Sequence, residues 1–326
     1  MQTIAHYNLL EKIGDGGVGE VFRARDTKVG RTVALKVVAP PIVEDRERLE
    51  RLMSDAQAAS VLSHPNIATL FDVGEADGRA YLAYEFAAGR PLADEMRGTA
   101  MNPRRALDLA IQIADGVADA HAHGILHGDL RPGTIFVTDK GSAKVLDFGM
   151  APWTRGGVVR AGAARHPDTL PVYAPTIVAY LSPEQAIGGA VDARTDVFTM
   201  GTLAYEMITG TNPFAAGTPA ETIVNVIQGR FASPSEVSPA APPELDVTLG
   251  RALTRDLEQR QQSAAAFAAE LRSVAAMLDV RSGDAAEPSA LLPIDDSPDR
   301  TAAGLLTGAL LTAAAAAGFV WWWLTR

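Results

Sequence analysis

The chain of 326 residues contains no cysteine. It can therefore form no disulfide bond, hold no zinc ion through thiolates and use no thiolate as a nucleophile. These absences exclude two classes, the small disulfide-stabilised secreted domains and the zinc ribbons. Any chemistry that the chain performs must rely on oxygen and nitrogen atoms.

Basic residues are in deficit, because 29 Lys and Arg face 39 Asp and Glu for a formal net charge of -10. Broad nucleic-acid binding needs a basic surface that displaces counterions. We therefore expect no nucleic-acid partner. The hydrophobic fraction of 47% is too high for a disordered chain, so the sequence predicts a globular protein with a sizeable core.

The two ends of the chain differ. Residues 1–10 show no basic run followed by an apolar stretch, so we expect no signal peptide and a main body that stays in the cytoplasm. Residues 302–324 carry no charge, and as a helix they would span roughly 34 Å, enough to cross a bilayer. Three consecutive tryptophans, at positions 321–323, stand near the end of this segment and resemble an interfacial anchor. This pattern predicts a transmembrane helix, with a buried alanine-rich packing helix as the alternative.

Two further features accompany this apolar segment. Residues 279–301 are acidic, contain proline and lack periodicity, which predicts a flexible linker. Gly304 and Gly308 form a G-x-x-x-G pattern that allows two helices to approach closely, so the segment would permit a homodimer. The same pattern also arises by chance in a segment this rich in glycine and alanine.

A glycine-rich motif, G-x-G-x-x-G, stands near the N-terminus at Gly14, Gly16 and Gly19. The segment that follows alternates as a strand does, whereas a dinucleotide-binding motif would need a helix there. The pattern predicts a hairpin whose backbone could lie close over phosphates, since glycines leave no side chain in the way. A simple glycine-rich turn is the alternative.

Three charged residues suggest chemistry further along the chain. Lys36 lies inside an apolar strand, where an ammonium group must find an anion. Asp129 and Asp147 lie on consecutive loops, in the sequences His-Gly-Asp-Leu and Asp-Phe-Gly. Two such carboxylates suit a general base and a metal ligand.

Together with Ser182-Pro183-Glu184-Gln185 and the helical run from Asp196, these motifs resemble those of the bacterial protein kinases of the eukaryotic Ser/Thr type. The resemblance covers residues 7–275. It implies an α+β, two-lobed kinase domain over residues 1–278, with a β-rich N-lobe at about 1–86, a helical C-lobe at about 87–278, and ATP bound between them.

The resemblance also implies residue roles. Lys36 would contact the α- and β-phosphates, Asp129 would accept the proton of the substrate hydroxyl, and Asp147 would hold Mg²⁺, or alternatively Mn²⁺. The backbone of Glu85 and Ala87 would bind adenine, behind Tyr84 at the gatekeeper position. The remaining assignments are Gly14, Gly16, Gly19, Val21 and Ala34 to the nucleotide, Arg131 to catalysis, Thr134 to a second metal ion, Glu184 and Arg260 to a structural ion pair, and Asp196 to a brace beneath the catalytic loop (residues 127–134).

Five positions depart from the family pattern. Asp55 replaces a glutamate that would pair with Lys36, and its shorter side chain weakens that contact. Thr134 replaces the asparagine that binds the second metal ion, with a shorter reach than an amide. The other three are Arg131 for lysine, Gly128 for the arginine that would receive a phosphorylated activation loop, and Ile177 for a threonine that would face Asp129.

Two functions remain open from the sequence. The first is an active Ser/Thr protein kinase in the cell inner membrane, with a single membrane pass, a cytoplasmic kinase domain, and ATP, protein substrates and the lipid bilayer as partners. The second is a pseudokinase that serves as a membrane-tethered scaffold or regulator. A small-molecule phosphotransferase is disfavoured, because the segment at Ser182 and the helix at Asp196 are typical of protein-substrate platforms.

Overall fold

The computed structural model describes residues 2–154 and 175–283. The predicted transmembrane helix at 302–324 lies outside these residues, as does most of the predicted linker. The described residues 279–282 continue the last helix, so the prediction that the linker begins at 279 was wrong by a few residues. Among the helices that the structure describes, none is long and apolar enough to cross a membrane.

A six-stranded antiparallel sheet forms the N-terminal lobe, with the spatial order β1-β2-β3-β4-β6-β5. Along β4, Ala34 and Val38 face the helix side of the sheet, whereas Val33 and Leu35 pack on the other side. This alternation is the period of a strand, and it places Lys36 on the helix side. The strands are β1 Thr3–Ile4, β2 Tyr7–Gly16, β3 Gly19–Asp26, β4 Thr32–Val38, β5 Leu70–Ala76 and β6 Arg79–Glu85.

Helices α1 (Pro40–Val43) and α2 (Arg46–Ala59) connect β4 to β5. The N-terminus of α2 is capped by Asp45, whose side chain accepts a hydrogen bond from the backbone of Arg48. Its buried residues recur every three or four positions, which gives the helix one apolar face against the sheet. These residues are Leu49, Leu52, Ala56 and Ala59.

The C-terminal lobe is helical around two long helices, α4 (Pro103–Ala122) and α8 (Ala193–Thr209), and a small sheet of β7 (Gly89–Pro91), β8 (Ile135–Thr138) and β9 (Ala143–Val145) lies beside them. Helix α8 is buried on almost every side because its polar side chains return to its own backbone, as when Thr202 donates to the carbonyl of Phe198. The other helices are α3 Leu92–Met96, α5 Ala151–Thr154, α6 Pro175–Val178, α7 Pro183–Ile187, α9 Pro219–Gln228, α10 Pro234–Val237, α11 Glu244–Ala252 and α12 Ala264–Ser282. A two-lobed fold with a β-rich and a helical lobe is thereby confirmed.

The carboxylate of Asp196, in the first turn of α8, holds the catalytic loop from below, as the sequence predicted. It accepts hydrogen bonds of 2.8 Å each from the backbone amides of His127 and Gly128, and it lies 2.8 Å from the ring of His121 on α4. Burial alone would raise the pKa of this carboxyl, but His121 and the loop groups keep it below its ordinary value. The loop is thus fixed to both long helices through one charged group.

A second buried charge, Glu184 at the start of α7, pairs with Arg260, and this predicted ion pair is also confirmed. Two guanidinium nitrogens of Arg260 lie 2.9 and 3.3 Å from the carboxylate. Arg260 additionally donates to the carbonyls of Arg194 and Thr254, so its guanidinium is engaged on several sides within the core. Burial would raise the pKa of Glu184, but these donors hold it below the usual range.

Replacing Arg260 with methionine should lower the free energy of unfolding by about 3–5 kcal/mol, because a buried carboxylate would lose its cation. Urea unfolding at neutral pH measures the loss. Since the folded pKa of Glu184 is depressed, the contribution exists above the pKa of the unfolded chain and disappears as the pH falls through the folded value. The pair of the exposed Arg251 with the partly exposed Glu270 provides the control, and Arg251→Met should cost less than about 1 kcal/mol. Equal losses in both variants would contradict the assignment.

Gly128 occupies a backbone conformation that favours glycine, with a φ of 68°, and a Cβ there would lie 3.1 Å from that of Ala151. Gly128→Ala should therefore destabilise the fold by about 1–2 kcal/mol. Gly250 in α11 has open space around it, and Gly250→Ala should instead stabilise by about 0.5–1 kcal/mol. Thermal unfolding of both variants measures the difference. A neutral Gly128→Ala would show that the loop relaxes at this point.

Candidate active site

The glycine-rich motif forms the hairpin that the sequence predicts, with β2 ending at Gly16 and β3 beginning at Gly19. Gly19 has a φ of 153°, and a Cβ at this position would lie 1.9 Å from the carbonyl oxygen of Val37. Only glycine therefore allows β3 to approach β4 here. A Cβ added at Gly14 would meet no heavy atom within 4 Å, so packing alone does not explain why this residue is glycine.

Lys36 and Asp147 form an ion pair at the junction of the two lobes. Lys36 lies within β4, and Asp147 follows β9 with a φ of 66°, which is uncommon for a residue with a side chain. Their side chains are 10% and 14% exposed, respectively. The ammonium group has thus found the anion that its burial requires, and this anion is the residue that the sequence assigned to a metal ion.

The pairing of Lys36 with Asp55, expected by analogy with the family, is not formed in this structure. Within residues 2–154 and 175–283, no ion pair joins the two. The carboxylate of Asp55 instead accepts a hydrogen bond of 2.9 Å from the indole nitrogen of Trp153. No sequence pattern singles out Trp153 as its partner, because the two residues lie 98 positions apart.

Asp129 lies buried in the catalytic loop at 3% exposure, and its carboxylate is 3.5 Å from Nε of Arg131. Its backbone amide donates to Nδ1 of His127, while Nε2 of the same ring lies 2.8 Å from the carbonyl oxygen of Leu146. Burial lowers the pKa of His127, which favours the neutral ring. His127 therefore ties the loop of Asp129 to the segment of Asp147, a role that sequence reasoning missed.

The side chain of Thr134 forms its hydrogen bonds within the catalytic loop. Its hydroxyl accepts from the amide of Arg131 and lies 3.0 and 3.3 Å from the carbonyl oxygens of Arg131 and Asp129. The residue is 1% exposed. Its assignment to a second metal ion stays a prediction, and that role would require the hydroxyl to exchange these loop contacts.

The residues assigned to adenine lie along β6 and its neighbours. Ala34 is the cross-strand partner of Tyr84, and Val21 is that of Lys36. Glu85 ends β6, and its carboxylate binds the ammonium group of Lys144 at 2.7 Å, while its backbone amide donates to the carbonyl of Thr69 at 2.8 Å. Ala87 follows in the connection to β7.

The ring of Tyr84 lies beside the ammonium group of Lys36. The Lys36 ammonium nitrogen lies 5.1 Å from the centroid of its ring, which is a cation–π distance. Its hydroxyl is buried without a hydrogen-bond partner among the described residues. Burial and the charge of Asp147 raise its pKa far above the ordinary value, so the phenol is neutral.

The side chains assigned to metal binding, Asp147 and Thr134, fit one divalent ion better than two. Within the part of the chain that the structure describes, no three His, Cys, Asp or Glu side chains converge as a metal site. Asp147 supplies one carboxylate, and Mg²⁺ in phosphoryl-transfer sites takes much of its coordination from phosphates and water. A nucleotide could therefore complete the site around Asp147.

Solved structures share this fold. The kinase domain of PknI from Mycobacterium tuberculosis superposes with a TM-score of 0.63 at 24% sequence identity, and the match covers 83% of this chain and 97% of that one. At this identity the likeness concerns the fold alone.

Sequence relatives point to the same family. A probable serine/threonine-protein kinase of Clostridium perfringens is 32% identical over 269 residues, which are 82% of this chain and 38% of that protein. PknB, a serine/threonine-protein kinase of Mycolicibacterium smegmatis, is 34% identical over 81% of this chain and 42% of its own length. The chain thus spans about two fifths of the length of these relatives.

The protein kinase domain profile matches residues 7–271, which include both lobes, the glycine-rich hairpin and the catalytic loop. The chain therefore belongs to the protein kinase family.

Proposed function

We propose that this chain is a membrane-anchored Ser/Thr protein kinase that transfers the γ-phosphoryl group of ATP to protein hydroxyls. The observation that carries the proposal is the convergence of Lys36, Asp147 and Asp129 at the junction of the lobes. Two of the three are linked by an ion pair, and His127 connects the loops of Asp129 and Asp147. Bacterial relatives named as Ser/Thr protein kinases support the same class.

The chemistry follows from where each charge lies. Asp129 accepts the proton of the substrate hydroxyl while the hydroxyl oxygen bonds to the γ-phosphorus of ATP. At the same time the bond between the γ-phosphorus and the oxygen that bridges it to the β-phosphorus breaks, and ADP leaves. The guanidinium of Arg131, beside Asp129, adds positive charge near the reacting oxygens. Lys36 is placed to contact the α- and β-phosphates. A divalent ion, held by Asp147, would neutralise charge on the phosphates.

A second function, the pseudokinase, is supported by two observations. Asp55 is engaged by Trp153 and not by Lys36, so the described conformation lacks one element of the assembled site. The internal hydrogen bonds of Thr134 point the same way. A chain confined to this arrangement would serve as a scaffold or regulator.

Membrane attachment belongs to the proposal on sequence grounds. Residues 302–324 would cross the inner membrane once and keep the kinase domain in the cytoplasm, and Gly304 and Gly308 would allow a homodimer.

Transfer of labelled phosphate from γ-labelled ATP to a generic basic protein, with Mg²⁺ or Mn²⁺, tests the enzyme. Asp129→Asn should reduce transfer by about 10²–10⁴-fold, because it removes the proton acceptor. Lys36→Met should weaken ATP binding, since it removes the phosphate contact. Asp94→Asn, an exposed acid on α3, is the matched control and should leave transfer unchanged. Absence of both transfer and ATP binding in the unmodified chain would favour the scaffold.

Membrane fractionation tests the anchor. The full chain should remain in the membrane pellet after alkaline carbonate extraction, whereas a chain truncated after residue 300 should be released, because the apolar segment is the only attachment proposed. A Gly308→Leu variant should stay in the pellet, which separates anchoring from helix pairing. Release of the full chain by carbonate would contradict the transmembrane assignment.

A further inference from the structure

A cavity of about 300 Å³ lies between the C-terminal half of α2 and the catalytic loop. Its walls come from α2, the residues before the catalytic loop, the segment after Asp147, and the first turns of α7 and α8. Among the described residues that line it, none was assigned to the nucleotide, to a metal ion or to proton transfer. The cavity is therefore distinct from the proposed nucleotide site, and it has the volume of a small-ligand site.

Small residues create this space. Of the fourteen described residues in the lining, six are glycine or alanine. Gly128 is the most informative of them, because it stands where the family pattern has an arginine. A Cβ at Gly128 would lie 3.1 Å from the Cβ of Ala151, which lines the same cavity. The wall thus carries no side chain at the position where the family pattern places a guanidinium group.

The charge of the cavity is negative. Asp55 contributes a carboxylate from the N-terminal lobe and Asp196 contributes one from the C-terminal lobe, whereas the described lining contains no Lys or Arg. The ring of His127 adds no positive charge, because burial lowers its pKa. A phosphate or another anion would be repelled by these walls. The cavity is electrostatically complementary to a cation.

Both carboxylates can accept further hydrogen bonds. From the described part of the chain, Oδ2 of Asp55 accepts the indole N–H of Trp153, and Oδ1 of Asp196 accepts the amide of Gly128. An ionised carboxylate offers about four lone-pair sites, so each group retains acceptor capacity. A guanidinium presents its donors in a planar fork that matches carboxylate oxygens, and it is more weakly hydrated than an ammonium group. Among organic cations, a guanidinium therefore suits this partly enclosed site best.

Much of the remaining lining is apolar. Ile125 and Leu126 precede the catalytic loop, and Val191 follows α7 with 37% of its surface exposed. Ala58 is an exposed residue of α2, so the cavity is reached from solvent. These side chains provide contacts for an alkyl or aryl group attached to the cation.

We propose that this cavity binds a small organic cation with a guanidinium head group and an apolar body. The head group engages the carboxylates of Asp55 and Asp196, and the body packs on Ile125 and Leu126. The bound cation supplies the positive charge that Gly128 does not. This inference goes beyond the proposed function, because it concerns a second ligand and does not depend on phosphoryl transfer.

Calorimetric titration of the full chain with phenylguanidinium tests the proposal, and phenylurea serves as a neutral probe of similar shape. For a ligand of this size we expect a Kd for phenylguanidinium of about 1 mM or below. Phenylurea should bind at least about tenfold more weakly, because it forms no charge-assisted hydrogen bonds with the carboxylates. Saturating Mg-ATP should leave the Kd for phenylguanidinium unchanged, since the cavity is distinct from the proposed nucleotide site.

A variant that fills the cavity locates the binding. Ala58→Leu adds bulk from an exposed position of α2 that lines the cavity, and it should weaken phenylguanidinium binding at least about tenfold. Ala269→Leu is the matched control, because it makes the same change at an exposed position of α12. This control should leave the Kd unchanged.

A second variant tests the charge. Asp55→Asn retains an oxygen that can accept from the indole but removes the negative charge, so phenylguanidinium should bind about five- to tenfold more weakly. The matched control is Glu50→Gln, which neutralises an exposed acid of α2 whose partner is Arg46. It should leave the Kd unchanged.

The outcomes distinguish this site from the proposed function. Binding of phenylguanidinium that both Ala58→Leu and Asp55→Asn weaken supports the site, whether or not the chain transfers phosphate. No binding at ten times the expected Kd, equal binding of phenylurea, or an unchanged Kd in either variant overturns it. If the expected pattern is found in a chain that transfers no phosphate, the cation site stands and the kinase activity is what fails.

Discussion

The arrangement of the site depends on one buried carboxylate, that of Asp196. A charge without water is costly unless donors surround it, and here two backbone amides and an imidazole do so. These amides belong to His127 and Gly128. The hydrogen bonds that stabilise the carboxylate of Asp196 therefore also fix the backbone beside Asp129. His127 then extends the constraint to the carbonyl of Leu146, next to Asp147. Asp129, the proposed base, and Asp147, the proposed metal ligand, are therefore positioned by a single chain of hydrogen bonds that begins on α8.

Much of this could be predicted from the sequence, and the reasons are local. Lys36 in an apolar strand had to find an anion, and the glycine-rich motif followed by an alternating segment predicted the hairpin of β2 and β3. The roles of Asp196 and of the pair Glu184 and Arg260 followed from family motifs, which locate residues at the ends of helices. In each case the partner is fixed by the element that carries the residue.

The parts that the sequence could not predict involve choices between partners. Asp55 lies on the expected helix, but which donor it meets depends on how the segment after Asp147 packs against that helix. Likewise, Thr134 is a plausible metal ligand by type, yet its hydroxyl is drawn into the loop that carries it. Spacing along the chain identifies the candidates, whereas tertiary packing decides among competing hydrogen bonds. Trp153 carried no signal beyond being a lone indole soon after Asp-Phe-Gly.

The position of Tyr84 has a consequence for inhibitor chemistry. The residue is 6% exposed, and its ring stands beside Lys36 at the edge of the proposed nucleotide cleft. If adenine binds where we propose, compounds with a bulky substituent directed past it would collide with this phenol. Flat compounds confined to the backbone between Glu85 and Ala87 would meet no such obstacle. Tyr84→Gly would enlarge the cleft at this point, so that a ligand with an added aromatic group could be selective for the variant over the natural chain.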